Sequence, residues 1–214
     1  NGNLVTINPT TGAATIVGTL GSPLVRGIAF DSSGALWGVD EQDDKLLSIN
    51  VTTGAATVVA SLEATEVFDI TFGSDDRLYG VNTGLTQSSL VMIDKSTGET
   101  AWTGGPVSTA FNGLARRGTA DPESDFELFS VNQRDADTLQ SISPETSDDT
   151  LIGATGTTSM SALAFDKTGV LFGIEAAFTT DSLLTVDPDT GATTKVADIS
   201  GLGALVDING IAFA

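Results

Sequence analysis

Four kinds of short apolar segment recur in fixed order along the 214 residues. Most copies are bounded by Gly, Asp, Asn or Pro. The copies that begin at Gly27, Asp69, Gly113, Ala162 and Gly210 are 42, 44, 49 and 48 residues apart. Order, boundaries and spacing together predict an all-β chain. The expected form is a five-bladed β-propeller of four-stranded antiparallel blades, its closing blade built from both ends of the sequence and lacking one strand. A β-sandwich is the alternative; an open sheet of about 19 strands exceeds what twisting sheets tolerate. No stretch sustains a 3.6-residue period, so essentially no helix is expected.

The first segment, A, reads Gly27-Ile28-Ala29-Phe30 and returns as Asp69–Phe72, Gly113–Arg116, Ala162–Phe165 and Gly210–Phe213. Small residues alternating with large ones suit the innermost strand, where blades converge. Segment B is Leu36-Trp37-Gly38-Val39-Asp40, with copies at Leu78–Asn82, Leu128–Asn132 and Leu171–Glu175. Segment C, Leu4–Asn8, returns at Leu46–Asn50, Leu90–Asp94, Leu139–Ser143 and Leu183–Asp187. Segment D is the Thr-rich run Ala13–Gly18, with copies near Ala55–Ala60, Glu99–Gly104, Asp149–Ala154 and Ala192–Ala197. Between C and D, Asn8-Pro9-Thr10-Thr11-Gly12 and its copies carry turn chemistry: a side-chain acceptor opens the turn and a left-handed Gly closes it.

The count is five A, four B, five C and five D. Residues 1–214 form one domain, with blades at about 26–60, 67–104, 111–154 and 161–198 and a closing blade of 1–18 plus 209–214. A strand B is missing from that closing blade: trimmed, absent from the ordered part, or supplied by a partner.

The phrases Asn8–Thr15 and Gly27–Gly38 resemble the repeats of secreted bacterial and archaeal propellers of the NHL/YVTN-like and related uncharacterised classes. The resemblance spans nearly the whole chain, but its motifs are turns and strand cores. It implies a secreted or cell-surface module for binding, adhesion or scaffolding, and it transfers no catalytic residue. The third blade departs from the pattern: Arg116 stands where the others have Phe, and Arg117–Phe126 lengthens its A–B turn.

Composition narrows the function. With 28 Asp+Glu against 9 Lys+Arg, no His and no Cys, the net charge is −19. That argues against nucleic acid and anionic lipid as partners. It also removes thiolate sites, His-ligated zinc and His-based triads. No apolar run reaches the roughly 18 residues of a membrane helix, and no signal segment opens the chain. The acidity suits a secreted, extracellular or cell-surface protein. The expectation is a non-enzymatic binding, adhesive or structural propeller that requires no cofactor. A carbohydrate-binding or carbohydrate-cleaving propeller and an assembly subunit are the rivals.

Candidate site residues gather on the face made by the D–A and B–C connections. The B segments end in Asp40, Asn82, Asn132 and Glu175, either turn caps or a ring of acceptors for a polar ligand. Asp69 occupies an inner-strand position filled elsewhere by Gly or Ala, with Arg26 as its expected partner. Asp40, Asp43, Asp44, Asp135 and Asp137 could furnish oxygen ligands to Ca²⁺, or be hydrated loop acids. The partner expected on this face is a protein or a glycan, and the incomplete blade allows self-association. The aromatic series Trp37, Tyr79, Phe129 and Phe172 is expected to pack between blades, and Trp102 to lie partly exposed.

Overall fold

The C–D turns show how local chemistry sets the architecture. Asn8 Oδ1 accepts the N–H groups of Thr10 and Thr11 at 2.9 and 3.1 Å, and Gly12 closes the turn at φ 68°. Asn50 and Asp94 repeat those bonds, and Gly54 and Gly98 repeat the positive φ. Each such turn reverses the chain between two β-branched runs and so fixes an antiparallel hairpin.

A computed structural model describes residues 2–83, 87–106, 110–118, 126–133, 136–202 and 208–214. β1 (Asn3–Ile7) and β2 (Ala14–Thr19) pair as a two-stranded sheet. The first four-stranded blade is β3 (Val25–Phe30), β4 (Leu36–Asp40), β5 (Lys45–Ile49) and β6 (Ala56–Ser61). The second is β7 (Val67–Phe72), β8 (Leu78–Thr83), β9 (Ser88–Ile93) and β10 (Thr100–Trp102). The third is β11 (Phe111–Arg117), β12 (Glu127–Asn132), β13 (Thr138–Ile142) and β14 (Asp149–Ala154). The fourth is β15 (Met160–Phe165), β16 (Leu171–Glu175), β17 (Ser182–Val186) and β18 (Thr193–Asp198). Strands within each blade are antiparallel and follow sequence order, the meander of a β-propeller. No helix occurs among the described residues.

The two middle strands of each blade are largely buried, while the outermost strands alternate exposed and half-buried positions. Apolar clusters therefore form between blades: Val39 and Leu46 of the first pack with Val67, Ile70 and Val91 of the second. The inner strands approach so closely that a Cβ on Gly27 would lie 2.5 Å from the Cα of Asp69, which only Gly tolerates. All four inner strands shift register near the same place, between Val25/Ile28, Val67/Asp69, Asn112/Ala115 and Met160/Ala162. A bulge there sharpens the twist where the strand enters the hub.

The B-strand aromatics reach across to the next blade. Ring centroids lie 6.4 Å apart for Trp37–Phe72, 5.5 Å for Phe129–Phe165 and 5.0 Å for Phe172–Phe213. In the third blade Arg116 replaces the usual Phe. Phe126, from the far side of the A–B turn, supplies the missing ring and sits 5.4 Å from Tyr79.

One expectation needs correction. Four complete blades are present, and residues 209–214 do not form a strand. An inner strand is defined by its ladder to strand B, and among the described residues no strand B lies beside this segment. The tail is nevertheless held. Ile208 N–H donates to Asp181 Oδ2 at 2.8 Å, the Ser161 hydroxyl donates to the Ile208 carbonyl at 2.8 Å, and Ile211 and Phe213 pack with Val5 and Ile7.

Candidate functional site

The upper end of the ring is where inner strands begin and B strands finish. Asp40 is buried there; its Oδ2 accepts the Ser22 hydroxyl and its Oδ1 accepts the N–H groups of Gln42 and Asp43 at 3.0 and 3.2 Å. The Asn82 amide donates to the Thr65 carbonyl, and Asn132 Oδ1 accepts from Ala110 N–H at 3.3 Å. These side chains tie the end of strand B to the connection leading into their own blade. Glu175 is half-buried, its backbone paired with Met160 and Ser182.

A second recurring contact escapes the sequence analysis. The residue two before the leading Leu of segment C bonds the backbone at the head of the next inner strand. Ser88 Oγ accepts from Phe111 N–H at 3.1 Å, Asp137 Oδ2 from Met160 N–H at 2.7 Å, and Asp181 Oδ2 from Ile208 N–H at 2.8 Å. Asp44 does the same one residue earlier, accepting from Glu66 N–H at 3.2 Å. Each blade thus clasps its neighbour through a short polar side chain. The available signal was a polar residue immediately preceding three C strands, in Asp44, Asp137 and Asp181.

The expected calcium ligands are therefore dispersed. Asp40, Asp44 and Asp137 hold backbone and hydroxyl donors, Asp43 is exposed, and Asp135 lies outside the described residues. No group of three or more acidic, His or Cys side chains among the described residues is placed to hold a metal. Asp137, 1% exposed, keeps one oxygen, Oδ1, without a hydrogen bond.

Asp69 and Arg26 are not partners. Glu41 N–H donates to the Leu24 carbonyl, which folds the B–C turn beside Arg26; the guanidinium pairs with Glu41 and stands 4.7 Å over the Phe68 ring. Asp69, 3% exposed, accepts from Leu114 N–H at 2.7 Å and Ile70 N–H at 2.9 Å, pinning the third inner strand to the second. Desolvation pushes its carboxyl well above the usual range, against the pull of those two bonds.

The lower half of the axis holds a cavity of about 390 Å³, lined by the inner strands of all four blades and by residues 211–213. Phe30, Phe72, Phe165 and Phe213 contribute apolar wall, Thr71, Ser32 and Ser74 hydroxyls, and Arg116 a guanidinium. Arg116 is half-buried; desolvation lowers its affinity for the proton while the charge of Asp75 opposes that fall, and an arginine stays protonated. Among the described residues nothing makes a hydrogen bond or ion pair with its guanidinium. Lys95 is engaged otherwise, 2.6 Å from Asp76 and 3.7 Å from Asp31. Asp31 is desolvated, yet bonds from Ser33, Trp37 and Ala35 outweigh this and hold its carboxyl down at about 2. A partly desolvated guanidinium in a cavity that also has hydroxyl-bearing and aromatic residues has the chemistry to receive a small organic anion.

No protein-family model and no curated protein matches the chain. Solved structures match at the level of the fold. A chain of the nidogen–laminin complex aligns with TM-score 0.61 and 12% identity, over 85% of this chain and 68% of that one. A gluconolactonase from Xanthomonas campestris aligns with TM-score 0.57 and 12% identity, over 89% of this chain and 66% of that one. The PQQ-bound aldose sugar dehydrogenase of Streptomyces coelicolor aligns with TM-score 0.56 and 16% identity, over 87% of this chain and 65% of that one. The chain thus spans just under two thirds of the two bacterial enzymes. These neighbours are β-propellers, and several are named enzymes, which overturns the expectation of a non-enzymatic protein. That expectation rested on the missing His and Cys and on a resemblance that carries no catalytic motif, neither of which decides activity, because function lives in sites grafted on a fold.

Proposed function

We propose that the chain is a five-bladed propeller, its fifth blade formed by β1, β2 and residues 208–214, and that it takes a small hydroxylated organic anion in the axial cavity. A sugar acid fits that description. Arg116 carries the proposal: a half-buried cation with no ion-pair partner among the described residues, facing a cavity to which every inner segment contributes. Two of the similar folds are named for sugar-derived substrates, gluconolactone and aldose, which supports hydroxyl-bearing ligands. Ser32, Ser74 and Thr71 are hydroxyl-bearing residues of the same cavity lining.

The test is a thermal melt with gluconate, glucose and acetate at equal ionic strength, followed by product analysis after incubation with gluconolactone. Gluconate at ten times its Kd is expected to raise Tm by roughly 3–6 °C. Glucose and acetate should raise it by less, and Arg116→Gln should abolish the gluconate shift. Equal shifts for gluconate and glucose, or an unchanged shift in the variant, would reject the anion site.

We also propose that the protein works outside the cell or on its surface. The net charge of −19 supports this. Protease treatment of intact cells that leaves the protein untouched, with none in the medium, would refute that placement.

A further inference from the structure

The inner segments share a four-residue pattern: a small residue, an aliphatic one, Ala, then Phe. Three positions break it. Asp69 stands where the other copies have Gly or Ala. Thr71 stands where they have Ala29, Ala115, Ala164 and Ala212, and Arg116 where they have Phe30, Phe72, Phe165 and Phe213. All three departures belong to the second and third blades.

Strand alternation sends the first and third residues of the pattern toward the following blade, and the second and fourth toward the preceding one. Each seam between blades therefore sets a third-place Ala against a fourth-place Phe. Ala29 clusters with Phe72 between the first and second blades, and Ala115 with Phe165 between the third and fourth. Ala212 clusters with Phe30 where the first blade meets the wedge formed by β1, β2 and residues 208–214. Between the second and third blades the same two places hold Thr71 and Arg116. The seam is confirmed from both sides: Asp69 reaches forward to Leu114 N–H at 2.7 Å, and the guanidinium of Arg116 feels the charge of Asp75 behind it.

Packing does not account for this polar pair. The ring that Arg116 displaces is returned by Phe126, 5.4 Å from Tyr79. Both Thr71 and Arg116 line the axial cavity, and among the described residues nothing hydrogen-bonds the Thr71 hydroxyl or the guanidinium. The bond from Leu114 N–H to Asp69 joins the two strands two residues before each member of the pair, so it ties hydroxyl and guanidinium to one another. Places one step apart on facing strands suit two groups on neighbouring carbons of a ligand.

We propose that Thr71 and Arg116 together read a 2-hydroxycarboxylate, the guanidinium taking the carboxylate and the Thr71 hydroxyl the oxygen on the adjacent carbon. The proposal rests on the axial cavity as an anion site and names what that site recognises besides charge.

The test is calorimetric titration of the 214-residue protein with gluconate, 2-deoxygluconate and 3-deoxygluconate at one ionic strength. Gluconate and 3-deoxygluconate should bind alike, and 2-deoxygluconate about five- to tenfold more weakly. Thr71→Val should bind all three with the weaker affinity, and Thr71→Ser should restore the preference. Thr71→Ala, which installs the residue of the other four copies, serves as a second hydroxyl-free variant should valine disturb the fold. Equal affinity of the wild type for gluconate and 2-deoxygluconate, or a preference that survives loss of the hydroxyl, would overturn the role of Thr71 while leaving the anion site standing. Binding of none of the three acids would overturn both.

Discussion

The fourth blade and the terminal wedge contain the same kinds of segment, and they differ by one strand. In the fourth blade, β16 ladders with β15 and β17, buries Leu171 and Ile174, and projects Phe172 onto Phe213. In the wedge, the tail repeats the sequence of an inner strand as Gly210-Ile211-Ala212-Phe213 but makes no ladder. Sequence pattern alone therefore does not make the inner strand: the ring that meets its last residue comes from the blade before, here Phe172 on Phe213, and what the tail lacks is the backbone partners of a strand B. What holds the tail without them is a clasp from Asp181, a hydroxyl from Ser161 and apolar contact with β1.

The largest effect that can test this contrast is Phe129→Ala set beside Phe30→Ala, both measured by denaturant unfolding. Phe129 is fully buried against Phe165, so its loss should cost about 3–5 kcal/mol. Phe30, half-buried and without a ring partner among the described residues, should cost about 1 kcal/mol. Similar costs would mean that the wedge is as well packed as a complete blade.

The clasps come next. Asp137→Ala strands the Met160 N–H and the Thr157 hydroxyl inside a complete pair of blades, and about 1–3 kcal/mol of stability should be lost. Asp181→Ala should cost less in global unfolding, yet amide exchange at Ile208–Phe213 should accelerate more than anywhere in the fourth blade. Uniform exchange would show the tail to be held by something other than Asp181.

Acid sharpens the comparison further. The folded carboxyl of Asp69 titrates above its unfolded value, so the folded state binds the extra proton and stability rises as pH falls through that window. Subtracting the pH profile of Asp69→Asn from that of the wild type between pH 7 and 4 should isolate the rise. Asp31 runs the opposite way. Its folded carboxyl lies at about 2, so the stability it contributes is complete above about pH 4 and is lost toward pH 2. Calcium should have the smallest effect: its Tm shift is expected to equal that of Mg²⁺ at matched ionic strength, and a larger, chelator-reversed shift would reveal a specific site.

Much of this was legible in the sequence, and the reasons are physical. Strand cores and turns repeat because every blade solves the same packing problem, so the Leu36–Asp40 and Asn8–Gly12 patterns locate β4 and the first C–D turn directly. The inter-blade role of Trp37, Phe129 and Phe172 was readable from periodicity, as was the exposure of Trp102, which is 55% accessible. The clasps were not, because a single Asp before a strand looks like any hydrated loop acid. The pairing of Arg26 was missed for a related reason: Asp69 is close in the repeat register, but the B–C turn brings Glu41 to the guanidinium in space. Arg116 was visible as a departure from the repeat, yet only the arrangement around the axis shows that it faces a cavity.

Phe126 carries one last consequence. In the third blade the strand position that carries Arg116 in place of an aromatic residue goes with a longer A–B turn, whose far side returns a ring to Tyr79. Shortening that turn while keeping arginine at 116 would leave Tyr79 uncovered, and restoring phenylalanine while keeping the long turn would crowd two rings into one seat. Loop length and the identity of that one residue therefore act as one unit of the fold.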